Sequence, residues 1–185
     1  MIVSHKHKFV FIKTRKTAGS TFENLMFPFL GKDDVCTGSA RDGTPALNCE
    51  LGTNGHRVPS TIPKGYFVFS IERNPWDKVV SAFYWHRNIK RSRFALTTFE
   101  SYMETVPRKL LPMDWCKYVD VGDVVYRYEE MESMYEDINA RLCGGGVTLD
   151  LGKLKTTRLK SGIREVADHR SIHTEKTRTI VSQLF

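Results

Sequence analysis

Phe11-Ile12-Lys13-Thr14-Arg15-Lys16-Thr17-Ala18-Gly19-Ser20-Thr21 is the stretch that decides the fold. On its amino side, Lys8 to Lys13 carries Phe9, Val10, Phe11 and Ile12, an unbroken aromatic and β-branched run that reads as a buried strand. A polar turn follows at Thr14 to Thr17, and then the apolar period changes. Phe22, Leu25, Met26 and Phe29 recur at helical spacing until Gly31 stops the pattern. A buried strand that passes through a basic loop into a helix makes an anion site. The first helical N–H groups have no intrahelical acceptor, the helix dipole favours negative charge there, Gly19 lets the backbone come close, and Lys16 adds a full charge. The loop is not a Walker A loop, because G-x-x-x-x-G-K-[ST] is absent and the lysine precedes the glycine. Taken by itself, the segment also fits an ordinary basic surface turn.

The same arrangement recurs downstream. Tyr66 to Ile71 reads as a second buried strand, Arg73 follows it, and Asn74 with Pro75 supplies an N-cap and a first helical residue. Val79, Val80, Phe83 and Tyr84 form the apolar stripe of that helix, and Ser81 sits about two turns in. An arginine at a strand end offers a bidentate fork to a phosphate. Further along, Thr97-Thr98-Phe99-Glu100 has the capping-box pattern and predicts a short helix to about Val106. Asp123 to Tyr128 reads as a third strand. Glu130 to Cys143 reads as an amphipathic helix with Met131, Met134, Ile138 and Leu142 inward, ended by Gly144 to Gly146. A final helix begins near Thr174. Residues 31–65, rich in Gly, Asp, Thr, Asn and Pro, are expected to form a long loop with little regular structure. Strands alternating with helices predict an α/β fold, a P-loop-like, largely parallel sheet flanked by helices, with its site at the carboxyl ends of the strands.

The chain has 185 residues, 41% of them hydrophobic, which suits one domain spanning 1–185. Lys and Arg number 28 against 21 Asp and Glu, a formal charge of +7, so an anionic partner is favoured over a cationic one. The cations gather at Lys13 to Lys16, Arg87 to Arg93 and Lys153 to Lys160. Cys36, Cys49, Cys116 and Cys143 form no C-x-x-C pair and have no histidine at zinc-finger spacing, so no structural metal is expected. A Cys36–Cys49 disulfide is open to the sequence, but without a secretory signal free thiols are expected. The amino terminus reads as leading straight into a strand, so no signal peptide or anchor is expected. No stretch reaches the roughly 20 apolar residues of a spanning helix, so a cytoplasmic location with no membrane partner is expected.

Lys16-Thr17-Ala18-Gly19-Ser20-Thr21 resembles the first loop of the PAPS-dependent sulfotransferases, Pro-Lys-Thr-x-[GS]-[ST]-[ST], which holds the 5'-phosphosulfate of 3'-phosphoadenosine-5'-phosphosulfate (PAPS). Arg15 replaces the proline. Arg73, followed eight residues later by Ser81, resembles the family's 3'-phosphate motif. Tyr126-Arg127-Tyr128-Glu129-Glu130-Met131 is similar to the strand that ends in an aromatic–Glu pair, and His173-Thr174-Glu175 to the closing Tyr-Thr-x-Glu helix. Gly55-His56-Arg57-Val58 resembles the Gly-His-Val segment that supplies the base in the heparan 2-O-sulfotransferase branch.

The resemblance implies the sulfotransferase fold, an EC 2.8.2-type enzyme and PAPS as co-substrate, with PAP as product and no metal required. The acceptor it implies is a hydroxyl, carried by a glycan. The implied donor site comprises Arg15, Lys16, Thr17, Ala18, Gly19, Ser20, Thr21, Arg73 and Ser81, with Arg158 chosen from the basic stretch at Lys153 to Lys160. Lys16 and His56 are the implied catalytic pair, His56 as general base. Glu23, facing the core edge, Glu72 and His86, read as an exposed helix residue, are weaker candidates for the base. Trp76 and Trp85 either stack on an adenine or fill the core, and for a helix aromatic next to a strand the core is the preferred reading. A loop histidine on the surface is the plain alternative for His56, and a solvated charge run is the plain alternative for the 153–160 stretch. Two rival functions stay open: a nucleotide phosphotransferase, which should carry a Walker lysine and a metal-holding acid, and a non-catalytic module for anionic glycan or nucleic acid. The reading adopted carries no nucleic-acid partner.

Overall fold

The computed structural model describes residues 1–38, 45–49, 55–113, 121–150, 152–153 and 162–185. Alternation along strand β2 (Phe9–Ile12) puts Phe9 and Phe11 on one face and Val10 and Ile12 on the other, and all four are fully buried, the mark of a central strand. On one side β2 pairs antiparallel with β1 (Ile2–Ser4), Ile2 opposite Phe11. Beyond β1 lie β3 (Val35–Thr37) and then β4 (Ala46–Leu47), each antiparallel to its neighbour. On the other side β2 pairs parallel with β5 (Phe67–Glu72), which pairs parallel with β6 (Val124–Arg127). The sheet order is therefore β4-β3-β1-β2-β5-β6.

The expected α/β fold is present, but the sheet is mixed rather than largely parallel. The segment expected to run straight into a strand begins with a strand of its own. No local pattern announces the antiparallel half, because β1, β3 and β4 are two or three residues long and lack a readable period. Their order comes from side chains. Asp34 accepts Ser4 Oγ at 2.7 Å, His5 N–H at 2.7 Å, Lys6 N–H at 3.1 Å and Gly31 N–H at 2.8 Å, and so pins the β1–β2 turn to the start of β3. Asn48 Nδ2 donates to the carbonyls of Lys32 and Asp34, both at 2.7 Å, and fixes the end of β4.

Helix α1 (Gly19–Met26) and helix α4 (Met131–Leu142) cover one face of the sheet. Phe22 and Met26 meet Phe11 and Phe69, with Tyr135 and Ile138 alongside, and the Phe11–Phe22 ring centroids lie 4.5 Å apart. Val3, Val10, Ile12 and Val68 on the opposite face meet Val58, Ile62 and Tyr66. Helices α2 (Pro75–Arg87), α3 (Phe99–Thr105) and α5 (Glu175–Leu184) build a separate apolar cluster around Val80, Phe83, Tyr102 and Val181. Asn74 caps α2 by accepting Trp76 N–H at 3.0 Å, as its sequence implies. The cap of α3 is Thr98, which accepts Ser101 N–H at 3.2 Å, one residue later than the capping box predicts. Glu100 is thereby released to accept the Thr174 hydroxyl at 2.7 Å. Among the described residues, no helix is long and apolar enough to cross a membrane. Cys36 and Cys49 are free thiols.

Candidate active site

The three parallel strands β2, β5 and β6 end on the same side, and the residues that leave them wall a cavity of about 1040 Å³. The first wall is the loop from Lys13 to Thr21. Lys16 (φ 67°) and Ala18 (φ 59°) both occupy the left-handed region that side chains seldom adopt, and together they curl the loop on itself. The Thr14 hydroxyl bonds the Ile71 carbonyl of β5 and lies 2.9 Å from Thr17 Oγ1, which holds the curl against the sheet. Ala18, the N-cap of α1, has no side-chain oxygen to satisfy the first-turn amides. An anion is the natural acceptor for them.

Beneath this loop runs Lys13, only 5% exposed, with its ammonium 2.6 Å from Glu23. Glu23 is fully buried, accepts the Met1 amino group at 2.5 Å and lies 3.2 Å from Thr37 Oγ1. Burial pushes the Glu23 carboxyl up, but the Met1 amine and Lys13 outweigh it and hold the carboxyl below its ordinary range. Glu23 is therefore an internal counter-ion rather than a base facing the core edge. Gly19 is required by geometry, because a Cβ there would fall 2.6 Å from Lys13 Cγ.

The second wall begins with Arg73, at the end of β5. Its Nη1 donates to the Lys16 carbonyl at 3.2 Å, its Nε donates to Asp77 at 2.6 Å, and its guanidinium lies 4.1 Å from the centre of the Tyr128 ring. The loop from Arg15 through Thr21, together with His56, Arg73 and Ser81, lines this same cavity. The Arg15 guanidinium itself turns to the carbonyls of Lys109 (3.3 Å) and Leu111 (2.6 Å), tying the loop to the 108–112 segment. Arg158 lies outside the described residues.

His56 reaches the cavity from the 55–58 segment. Its Nδ1 sits 3.1 Å from the Lys13 carbonyl, which can only accept, so Nδ1 carries the proton and Nε2 of the neutral ring holds the lone pair. Gly55 allows this approach, because a Cβ there would fall 2.7 Å from Thr37 Oγ1. Glu72 is committed to Lys78, 2.6 Å away.

Trp85, His86 and Arg164 are among the lining residues that were not assigned to the cavity from sequence. Trp85 is not a core residue: its ring lies 4.8 Å from the Lys16 ammonium and faces the cavity. His86 is half-buried rather than exposed, with Nδ1 2.8 Å from the Tyr102 hydroxyl, and burial followed by the charges of Lys16 and Arg15 lowers its pKa. Helical spacing from Ser81 brings Trp85 to the same face, and that was the available signal. Arg164 also lines the cavity, through a contact no local pattern could announce.

The family comparison agrees with this geometry. The model of the sulfotransferase family matches residues 1–146, a stretch that contains both basic strand-to-helix junctions and His56. No curated protein and no solved structure matches the chain. With the family model covering most of the sequence and a cationic cavity at the ends of the parallel strands, the chain belongs to the sulfotransferase family.

Proposed function

We propose that the cavity binds PAPS across its two basic walls and transfers the sulfuryl group to a carbohydrate hydroxyl, with 1–185 acting as a single domain and PAP leaving as product. The observation that carries this reading is the shared cavity of Lys16 and Arg73, with the Arg73 guanidinium 3.2 Å from the Lys16 carbonyl. One nucleotide with phosphates at both ends can therefore bridge them. A volume of about 1040 Å³ leaves room for a nucleotide and part of an acceptor.

Sulfuryl transfer resembles phosphoryl transfer: the bond from sulfur to the 5'-phosphate oxygen opens as the acceptor oxygen closes on sulfur, and the bond electrons pass to the phosphate. Lys16, the first amides of α1 and the hydroxyls of Ser20 and Thr21 stabilise that growing charge, while Arg73 and Ser81 hold the 3'-phosphate. His56 Nε2 takes the acceptor proton. The sugar acceptor rests on the likeness of Gly55-His56-Arg57-Val58 to the heparan 2-O branch, and the free thiols of Cys36 and Cys49 suit a reducing, cytoplasmic setting.

The test is transfer of radiolabelled sulfate from PAPS to a panel of glycans by the wild type, Lys16→Ala and His56→Ala. Labelled product from the wild type alone supports the assignment. Turnover by Lys16→Ala at the wild-type rate would remove Lys16 from the chemistry.

A further inference from the structure

Asp77 stands four residues after Arg73, in the first turn of α2, and divides its carboxylate between arginines from distant parts of the chain. Oδ2 accepts Arg73 Nε at 2.6 Å and lies 2.6 Å from the second Arg73 terminal nitrogen, while Oδ1 accepts Arg164 Nη1 at 2.6 Å. His169 Nδ1 lies 3.7 Å from Oδ1. The side chain is 13% exposed, and burial pushes its carboxyl up while Arg73 and Arg164 hold it below its ordinary range. Both arginines line the cavity and Asp77 does not, so the carboxylate stands behind the two guanidinium groups.

Arg164 is fixed as firmly as Arg73. It also donates to the carbonyls of Val166 (2.5 Å) and Ala167 (3.2 Å). Its segment is docked on α2 by His173 Nε2 to the Trp76 carbonyl at 3.1 Å and by Asn88 Nδ2 to the Ile163 carbonyl at 3.4 Å. Arg164 also lies beyond the 1–146 stretch that the family model matches. Two guanidinium groups on one wall repel, and a shared carboxylate offsets that repulsion while fixing the planes of both forks.

We infer that Asp77 is a positioning residue that yokes Arg73 and Arg164 into a two-armed fork for the 3'-phosphate of the donor. The inference rests on the reading of the cavity as a PAPS site. A buried counter-ion that merely neutralised the arginines would compete with the phosphate, so the two roles predict opposite signs. A yoke pre-orients the arms, and its removal weakens binding.

Calorimetric titration of PAP and of adenosine 5'-phosphate into the wild type, Asp77→Asn, Arg164→Ala and the double variant decides between them. The expected result is a loss of about tenfold or more in PAP affinity for Asp77→Asn, with adenosine 5'-phosphate affinity changed by less than about twofold. In the Arg164→Ala background the Asp77→Asn effect on PAP should shrink to less than about threefold. Arg164→Ala alone should also weaken PAP selectively. Unchanged or tighter PAP binding by Asp77→Asn would overturn the inference, as would equal weakening of both nucleotides, which would mark Asp77 as a fold stabiliser. Silence of the wild type toward PAP would overturn the donor reading itself, a failure distinct from a PAP-binding wild type with an indifferent Asp77→Asn.

Discussion

Replacing Gly19 with alanine tests how tightly the anion loop is built. Gly19 opens α1 and does not have a positive φ, so by helix propensity alone alanine would stabilise the chain by up to about 1 kcal/mol. The structure predicts the opposite sign. The new Cβ would lie 2.6 Å from Lys13 Cγ, 3.2 Å from Cε and 3.3 Å from Cδ, so the whole stem of the lysine lies in its way. Lys13 has no room to swing aside, because it is buried and its ammonium is held 2.6 Å from a fully buried Glu23. The start of α1 must shift instead, and overpacking of this kind costs about 1–3 kcal/mol. For a chain of 185 residues, each kcal/mol moves Tm by about 2–4 °C, so a fall of about 2–12 °C is expected. PAP affinity should fall with it, because the displaced amides are those proposed to meet the 5'-phosphate. Thermal melts of Gly19→Ala in wild-type and Lys13→Ala backgrounds isolate the contact, since the penalty should largely vanish once the lysine stem is gone. A Gly19→Ala protein that melts higher than the wild type would refute the packing argument.

Two further outcomes follow from the geometry. His56→Ala should lower kcat by roughly 10²–10⁴-fold with PAP affinity unchanged, whereas His86→Ala should spare most of the rate; steady-state kinetics with a reactive acceptor distinguishes the two histidines. Asp34 is held below its ordinary pKa of 3.8 because burial, which raises it, is outweighed by donors from Gly31, Ser4, Lys6 and His5. A depressed folded value means its stabilisation is complete above the unfolded value and drains as pH falls below about 5, so Asp34→Asn should cost stability at pH 7 and progressively less in acid. Urea melts across that range check the sign, and a cost that grew toward low pH would contradict it.

The parallel half of the sheet and the five helices α1 to α5 were legible because each carries a strong local signal. Phe9 to Ile12 and Phe67 to Ile71 are continuous apolar runs, and Asn74-Pro75 marks a helix start by hydrogen-bond chemistry. The antiparallel half was hidden because strands of two or three residues have no period, and their order is imposed by Asp34 and Asn48 from elsewhere in the chain. The site divides in the same way. Lys16 and Arg73 could be read from their junctions, since each is defined by the strand before it and the helix after it. Arg164 could not, because its reach to Asp77 joins residues 87 positions apart. Trp85 was misassigned to the core because an aromatic residue on a helix gives the same pattern whether it faces core or cavity, and only the position of Lys16 decides between them.

The central claim is that one nucleotide spans Lys16 and Arg73. Its most direct test is calorimetry with PAP, adenosine 5'-phosphate and adenosine 3'-phosphate against the wild type, Lys16→Ala and Arg73→Ala. The account predicts that the wild type prefers PAP to either monophosphate. Arg73→Ala should no longer distinguish PAP from adenosine 5'-phosphate, and Lys16→Ala should no longer distinguish PAP from adenosine 3'-phosphate. A wild type that binds PAP no better than one of the monophosphates would contradict the claim, because one of the two basic walls would then take no part in holding the donor.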